Sequence, residues 1–221
     1  MKRLLITIDG PSGAGKTTVS RILAARLGYR YIDTGALYRG VAMAAISSGL
    51  KPDDDNGFLA MFNTVKLYFV PGEAGLRLFL NGSDITDQIR TPEISMAASA
   101  VSARPVVRNF LLNLQRDLGR DKNVVFEGRD MGTVVFPDAD VKFFLDASLT
   151  TRAKRRFKEL APITPQSLEG VETDMRRRDE NDSSRDLAPL KAAEDAIRID
   201  STDLSIEEVV ERMVAAVNAL S

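Results

Sequence analysis

The sequence contains no cysteine, no histidine and no tryptophan. Without cysteine there is no thiolate nucleophile, no disulfide framework and no cysteine-based zinc site. Without histidine there is no catalytic triad of the usual kind and no imidazole acid–base chemistry near neutral pH. Catalysis must therefore run on carboxylates, lysine, arginine, hydroxyls, backbone amides and borrowed ions. An excess of one charge is also missing. The 30 Lys and Arg face 31 Asp and Glu, a net charge of -1, which argues against a non-specific nucleic-acid binder. Long apolar runs are absent too. After Lys2-Arg3 the apolar run reaches Asp9, too short for a signal sequence. The longest uncharged stretch, Gly40 to Leu50, is far below the ~18–20 apolar residues of a membrane span. The expectation is a soluble, cytoplasmic protein with no membrane or nucleic-acid partner. Nothing demands an oligomer, so a monomer is expected.

What is present is 221 residues, 44% of them hydrophobic, enough for one large domain or one domain with insertions at ~100–200 residues per domain. Such a chain buries about 70–75% of its unfolded surface and needs no metal or disulfide staple. Of the cations, 21 are arginines. Most are ordinary surface charge, but the guanidinium fork suits phosphate, so a localised anion site stays open.

Leu4-Leu5-Ile6-Thr7-Ile8 reads as a strand, and Lys16 to Leu27 as a helix with Val19, Ile22, Leu23 and Leu27 on one face. Tyr29 to Asp33 reads as a second strand, Ala36 to Ser48 as a helix, and Asp53-Asp54-Asp55-Asn56-Gly57 as a solvated loop. From Val65 the period becomes two. Lys66 to Val70 and Leu76 to Leu80 flank a Pro-Gly-Glu-Ala-Gly turn, a hairpin followed by Asn81-Gly82. Thr91-Pro92-Glu93 starts a helix, Arg104-Pro105 restarts one through Leu118, and Ser205 with Glu208 makes a capping box. Asn123 to Phe126, Val141 to Leu145 and Ala196 to Ile199 are strand candidates. Strands alternating with helices give an α/β fold with a central parallel sheet. The hairpin around 63–87 and the Arg-rich stretch from Arg152 to Arg185, broken at Pro162…Pro165, read as peripheral pieces unlike core.

The strongest motif is Gly10-Pro11-Ser12-Gly13-Ala14-Gly15-Lys16-Thr17, a complete G-x-x-x-x-G-K-[ST] phosphate loop between a strand and a helix, followed by Thr18. Its glycines let successive N–H groups curl into an anion nest, and the helix N-terminus adds positive potential. Lys16 reaches the β- and γ-phosphates, and Thr17 can ligate Mg²⁺. The loop therefore points to ATP with Mg²⁺. Asp33-Thr34-Gly35-Ala36-Leu37-Tyr38-Arg39 ends the second strand, where Tyr38 can stack on a base and Arg39 bind a phosphate, or where a helix cap precedes a buried tyrosine. Glu127-Gly128-Arg129-Asp130-Met131-Gly132-Thr133 follows another strand. There Arg129 is placed for a phosphoryl oxygen, and Glu127 or Asp130 for Mg²⁺ or another group. Arg178-Asp179-Glu180-Asn181-Asp182-Ser183-Ser184-Arg185, with Arg152, Arg155 and Arg156 upstream, is either a solvated face or a clamp on phosphates. Arg152 and Arg156 share a helix face.

These motifs, together with I-R-T-P-E followed by Ser99 and Arg108, occur in the order seen in bacterial cytidylate kinases, and the chain resembles that family over essentially its whole length. The combination of G-R-D-M-G-T-V-V-F-P-D-A with R-D-x-x-D-x-x-R carries the resemblance, because the phosphate loop is common to many families. The resemblance implies a single P-loop kinase domain over 1–221 with αβα layers, a β-rich monophosphate-binding insert near 63–87 and a helical lid near 149–180. It implies transfer of the ATP γ-phosphoryl group to CMP or dCMP, in pyrimidine metabolism. Ser99, Arg108 and Asp130 would hold the cytosine, Arg178 and Asp182 the pentose, and Arg39, Arg129 and Arg185 the monophosphate. Arg152 and Arg156 would reach the transferred group. Thr34 stands where Ser is common and Glu127 where Asp can occur. Two alternatives remain: a sibling P-loop kinase acting on UMP or a metabolite hydroxyl such as that of shikimate, and a nucleotide-dependent switch. A guanine-specific Asn-Lys-x-Asp is absent, and a switch leaves the two Arg-rich segments unexplained.

Overall fold

The computed structural model describes residues 2–73, 75–161 and 165–219; Ala74 of the hairpin turn and Pro162 of the proline break lie outside them. The first half of the chain runs β1 (Leu5–Asp9), α1 (Lys16–Leu27), β2 (Arg30–Asp33), α2 (Thr34–Ser47), α3 (Asp55–Phe62), β3 (Leu67–Gly72), β4 (Gly75–Leu80), β5 (Ser83–Asp84), α4 (Pro92–Ser102) and α5 (Pro105–Gly119). The second half runs β6 (Val124–Gly128), a π-helical turn (Met131–Val135), β7 (Val141–Asp146), α6 (Leu149–Leu160), α7 (Leu168–Ser184), β8 (Ile197–Asp200) and α8 (Ile206–Asn218). No described helix is long and apolar enough to cross a membrane. The chain forms two compact units, Met1–Tyr31 with Asp121–Ser221, and Ile32–Arg120.

The first unit is built on the parallel sheet, ordered β2-β6-β1-β7-β8. Alternation along β1 sends Leu4, Ile6 and Ile8 into a cluster with Val19 and Leu23 of α1 and Val209, Val210, Met213 and Val217 of α8. Helix α8 starts where expected: Ser205 and Glu208 close the capping box in both directions. The opposite face of the same strands meets the π-helical turn. The Phe126 ring lies 4.5 Å from that of Phe136, and Gly132 passes so close to Thr7 that a Cβ there would sit 3.0 Å from its hydroxyl. In a parallel sheet the carboxyl ends of the strands share one edge, where crevices form. Asp9, Gly128, Asp146 and Asp200 close β1, β6, β7 and β8 along that edge.

The second unit packs α2, α3, α4 and α5 with an antiparallel sheet, β3-β4-β5. Asn81 and Gly82, with φ of 49° and 87°, form the tight turn from β4 into β5, both in the left-handed region that such hairpins require. The hairpin is not peripheral: Leu67 and Leu78, with Ile85, enter the unit's core. They press so near Gly40 of α2 that a Cβ would meet Leu67 at 2.8 Å. The expected solvated loop at 53–57 is corrected as well. Helix α3 begins inside it, because Asp54 accepts the Gly57 amide as N-cap and the following turn buries Phe58 and Met61. A third correction concerns Arg152–Arg185, which reads from its sequence as unlike core. Helices α6 and α7 have their own apolar seam of Ala153, Leu160, Val171 and Met175.

Candidate active site

The loop between β1 and α1 is shaped by glycines, two of which leave no room for a side chain. A Cβ on Gly10 would fall 1.9 Å from the Leu145 carbonyl of β7, and Gly13, at φ 73°, is crowded by Met175 and the Arg152 carbonyl. Gly15 caps α1 at φ 91° and supplies no side-chain hydrogen bond, and the first turn holds no acidic residue. The amides at this helix start are therefore left for an anion.

Lys16 is buried beside them, its ammonium donating to the Pro11 carbonyl at 2.7 Å. Burial lowers its pKa to about 7; Arg129 and Arg178 push the same way, against Glu127 and Asp9. Arginines surround the loop. Arg152 donates to the carbonyls of Ala147 (2.8 Å) and Ser12 (3.1 Å) and to Asp179. Arg178 reaches the Ser12 hydroxyl at 3.5 Å. Arg129 donates to Asp182 at 3.1 Å, and Arg185 lies 3.8 Å from the other oxygen of that buried carboxylate. This concentration of cations around the loop suits a polyanion.

The structure thus brings Lys16, Arg129, Arg152, Arg178, Asp182 and Arg185 together with the loop residues Gly10, Pro11, Ser12, Gly13, Ala14, Gly15 and Thr17, all in the first unit. Thr18 follows on α1, exposed. Arg156 is paired with Glu159 at 3.0 Å, while its neighbour Arg155 reaches toward the loop, donating to Ser201 (2.7 and 3.0 Å) and, at 3.4 Å, to the Ala14 carbonyl. Asp130, buried, stands just before the π-helical turn.

Sequence reasoning passed over two groups here. Asp9 accepts the amides of Met131 (2.9 Å) and Gly132 (2.8 Å), tying the root of the loop to the segment that carries Arg129 and Asp130. Burial raises its pKa to about 6; the two amides and Lys16 work against that rise, and Asp130 adds to it. The only local signal was an acid ending an apolar strand. Ser201, the partner of Arg155, is the other, since only the fold joins residues 46 positions apart.

Thr34, Tyr38, Arg39, Ser99 and Arg108 belong to the second unit. Asp33 caps α2 by accepting the Ala36 amide at 3.1 Å and pairs with Arg39 at 2.7 Å. Burial pulls its pKa upward, but Arg39, Arg90 and the amide outweigh that and hold it below the ordinary value. The Arg108 guanidinium lies 5.7 Å from the centre of the Tyr38 ring and donates to the Ser102 carbonyl at 3.1 Å. Ser102 in turn donates to the carbonyl of buried Ser99 at 2.8 Å. Thr34 is buried at the first position of α2. The second unit thus gathers Tyr38, Ser99 and Arg108 from three helices.

The residues fit Mg²⁺ at one point. The Thr17 hydroxyl donates to Glu127 at 2.9 Å, leaving its lone pairs for a cation. No group of three or more acidic ligands occurs among the described residues.

The cytidylate kinase family profile matches residues 6–219. The chain is 53% identical to a cytidylate kinase of Geobacter sulfurreducens over 97% of its own length and 92% of that protein. It is 49% identical to one of Syntrophotalea carbinolica, covering 98% and 92%. Among solved structures, a gluconokinase of Sinorhizobium meliloti aligns over 99% of this chain and 95% of that one with a TM-score of 0.51 at 16% identity, a likeness of fold.

Proposed function

The chain belongs to the cytidylate kinase family, and from that membership we propose that it transfers the γ-phosphoryl group of ATP to CMP or dCMP, giving ADP and CDP or dCDP. The observation that carries the reading is the arginine-ringed phosphate loop, with buried Lys16 at its end. Phosphoryl transfer depends on positioning and charge neutralisation more than on a strong base, so a site with no histidine suffices. An oxygen of the acceptor monophosphate, already anionic, attacks the γ-phosphorus while the bond to the β-phosphate oxygen breaks.

In this reading residues 10–18 hold the ATP phosphates, through the backbone N–H groups of all but Pro11 and the Lys16 ammonium. Arg129, Arg152 and Arg156 offset the charge on the group in flight. Arg39, Arg129 and Arg185 hold the acceptor phosphate, and Arg178 and Asp182 the pentose. Ser99, Arg108 and Asp130 read the cytosine, and Thr34 and Tyr38 of the Asp33–Arg39 motif also bind the substrate. Thr17 would hold Mg²⁺, which when bound neutralises charge on the phosphates. The segment 63–87 serves as monophosphate-binding insert and 149–180 as lid of one kinase acting as a monomer in the cytoplasm, within pyrimidine metabolism.

A coupled ADP-release assay across CMP, dCMP, UMP, AMP and shikimate tests the reading. CMP and dCMP should turn over at least tenfold more efficiently than the rest, and a preference for UMP or shikimate overturns it. A second result concerns protons. With a pKa of about 7, Lys16 is about half-protonated in the free protein at pH 7. A bound phosphate raises that pKa, so Lys16 should contribute uptake of about half a proton to ADP binding at pH 7 and almost none at pH 6, where the nucleotide's own phosphate releases protons instead. Affinity should fall as pH rises through 7. Calorimetry in buffers of different ionisation enthalpy reads the uptake, and no difference between buffers contradicts it.

A further inference from the structure

Thr17 and Arg21 are one turn apart on α1 and therefore share a face. From each of them an interaction leaves the helix, and the two meet. The Thr17 hydroxyl donates to one oxygen of Glu127 on β6 at 2.9 Å. The other oxygen of that carboxylate accepts from the Tyr31 hydroxyl at 2.5 Å. The Tyr31 ring, on β2 beside β6, has the Arg21 guanidinium over it, 5.5 Å from the ring centre. The circuit from α1 through β6 and β2 back to α1 is closed.

A threonine hydroxyl has one proton and two lone pairs. To offer a lone pair to a cation it must send its proton elsewhere, and Glu127 takes it. A carboxylate held on one side only can rotate about its last torsion, which is broad. The phenol restrains that torsion by occupying the second oxygen, and the Arg21 guanidinium lies over the ring that carries the phenol. Tyr31 therefore acts on Thr17 through Glu127.

We infer that Tyr31 is a positioning residue for the metal-binding hydroxyl of Thr17, so that its phenol sets how strongly Mg²⁺ reinforces nucleotide binding. The inference rests on the reading of the loop as a site for a Mg²⁺-bound nucleotide. Outer partners of metal ligands are worth about 10–100-fold in metal affinity. Tyr31→Phe keeps the ring and loses only the donor.

The measurement is the dissociation constant of ADP by calorimetry, in EDTA and in saturating Mg²⁺. The wild-type ratio between the two conditions should shrink about tenfold in Tyr31→Phe, with the value in EDTA unchanged. Tyr29→Phe is the matched control. It loses the same hydroxyl from a phenol that donates to the Lys2 carbonyl at 2.7 Å, and its ratio should stay at the wild-type value. Arg21→Gln, at an exposed position, should shrink the ratio less but in the same direction, and it carries the test if Tyr31→Phe does not fold. A wild-type ratio in Tyr31→Phe, or equal weakening with and without Mg²⁺, overturns the inference; where Arg21→Gln carries the test, an unchanged ratio does so. If the wild-type protein itself bound ADP no better with Mg²⁺, the fault would lie in the nucleotide reading, so the two failures are distinguishable.

Discussion

Lys16→Ala should lower kcat by roughly a hundred- to a thousand-fold, the usual loss when one preorganised charge-stabilising donor is removed from a transfer site, with the far-ultraviolet circular dichroism unchanged. The ammonium is buried, held by one carbonyl and crowded electrostatically by Arg129 and Arg178. Its charge opposes folding, because burial disfavours the protonated form. Removing it takes away a cation that the folded protein carries at a cost, so the loop keeps its glycine-determined path. Lys16→Met, which restores most of the apolar volume, separates packing from charge and should be equally inactive. Turnover near the wild-type rate in either variant would mean that this loop is not where the donor phosphates lie.

The phosphate loop was legible because its chemistry is contiguous. Eight adjacent residues specify backbone curl, helix start and ammonium, and the flanking apolar runs fix the strand and helix around them. Helix α3 was not legible. Three acids, an asparagine and a glycine look like solvent-exposed loop, and the short apolar follow-up of Phe58 and Met61 is too brief to set a period. Tertiary contacts decide the matter. Arg104 grips the Asp55 carboxylate with two donors at 2.7 and 2.9 Å, and Gly57 leaves room for the Asp54 cap, whose oxygen would stand 2.4 Å from a Cβ there. Helices α6 and α7 had the opposite difficulty. Their charge density hid a four-residue apolar seam spread over two helices, visible only once they pack. In the site, the motif residues could be named from sequence, but their connections could not. Asp9 binds amides more than 120 positions away, and Glu127 meets Thr17 across 110. No local pattern encodes a partner at that distance; the order of strands in the sheet creates it.

Asp130→Asn should compress the preference for CMP over UMP by roughly ten- to a hundred-fold. Cytosine offers a donor at N4 and an acceptor at N3, whereas uracil presents an oxygen at the first position and a donor at the second. A carboxylate can accept from the cytosine amine but faces the uracil oxygen with like polarity. An unpaired buried polar group typically costs ~1–3 kcal/mol, and more when charged. Asp130 is buried with only 2% of its surface exposed, so water cannot relieve the mismatch. An amide in its place can turn its nitrogen toward the uracil oxygen, which improves UMP while weakening CMP. The segment that bears Asp130 remains tied at its far side by Asp9, so the change should act on base recognition alone, with KM for ATP within about twofold of wild type. Removing the Asp130 charge also takes away one of the influences that raise the Asp9 pKa. That strengthens the Asp9 tie to the Met131 and Gly132 amides at neutral pH and argues against collapse of the site as the cause of any loss. The ratio of kcat/KM for the two pyrimidine monophosphates decides the point, and a ratio equal to that of the wild-type protein would remove Asp130 from base recognition.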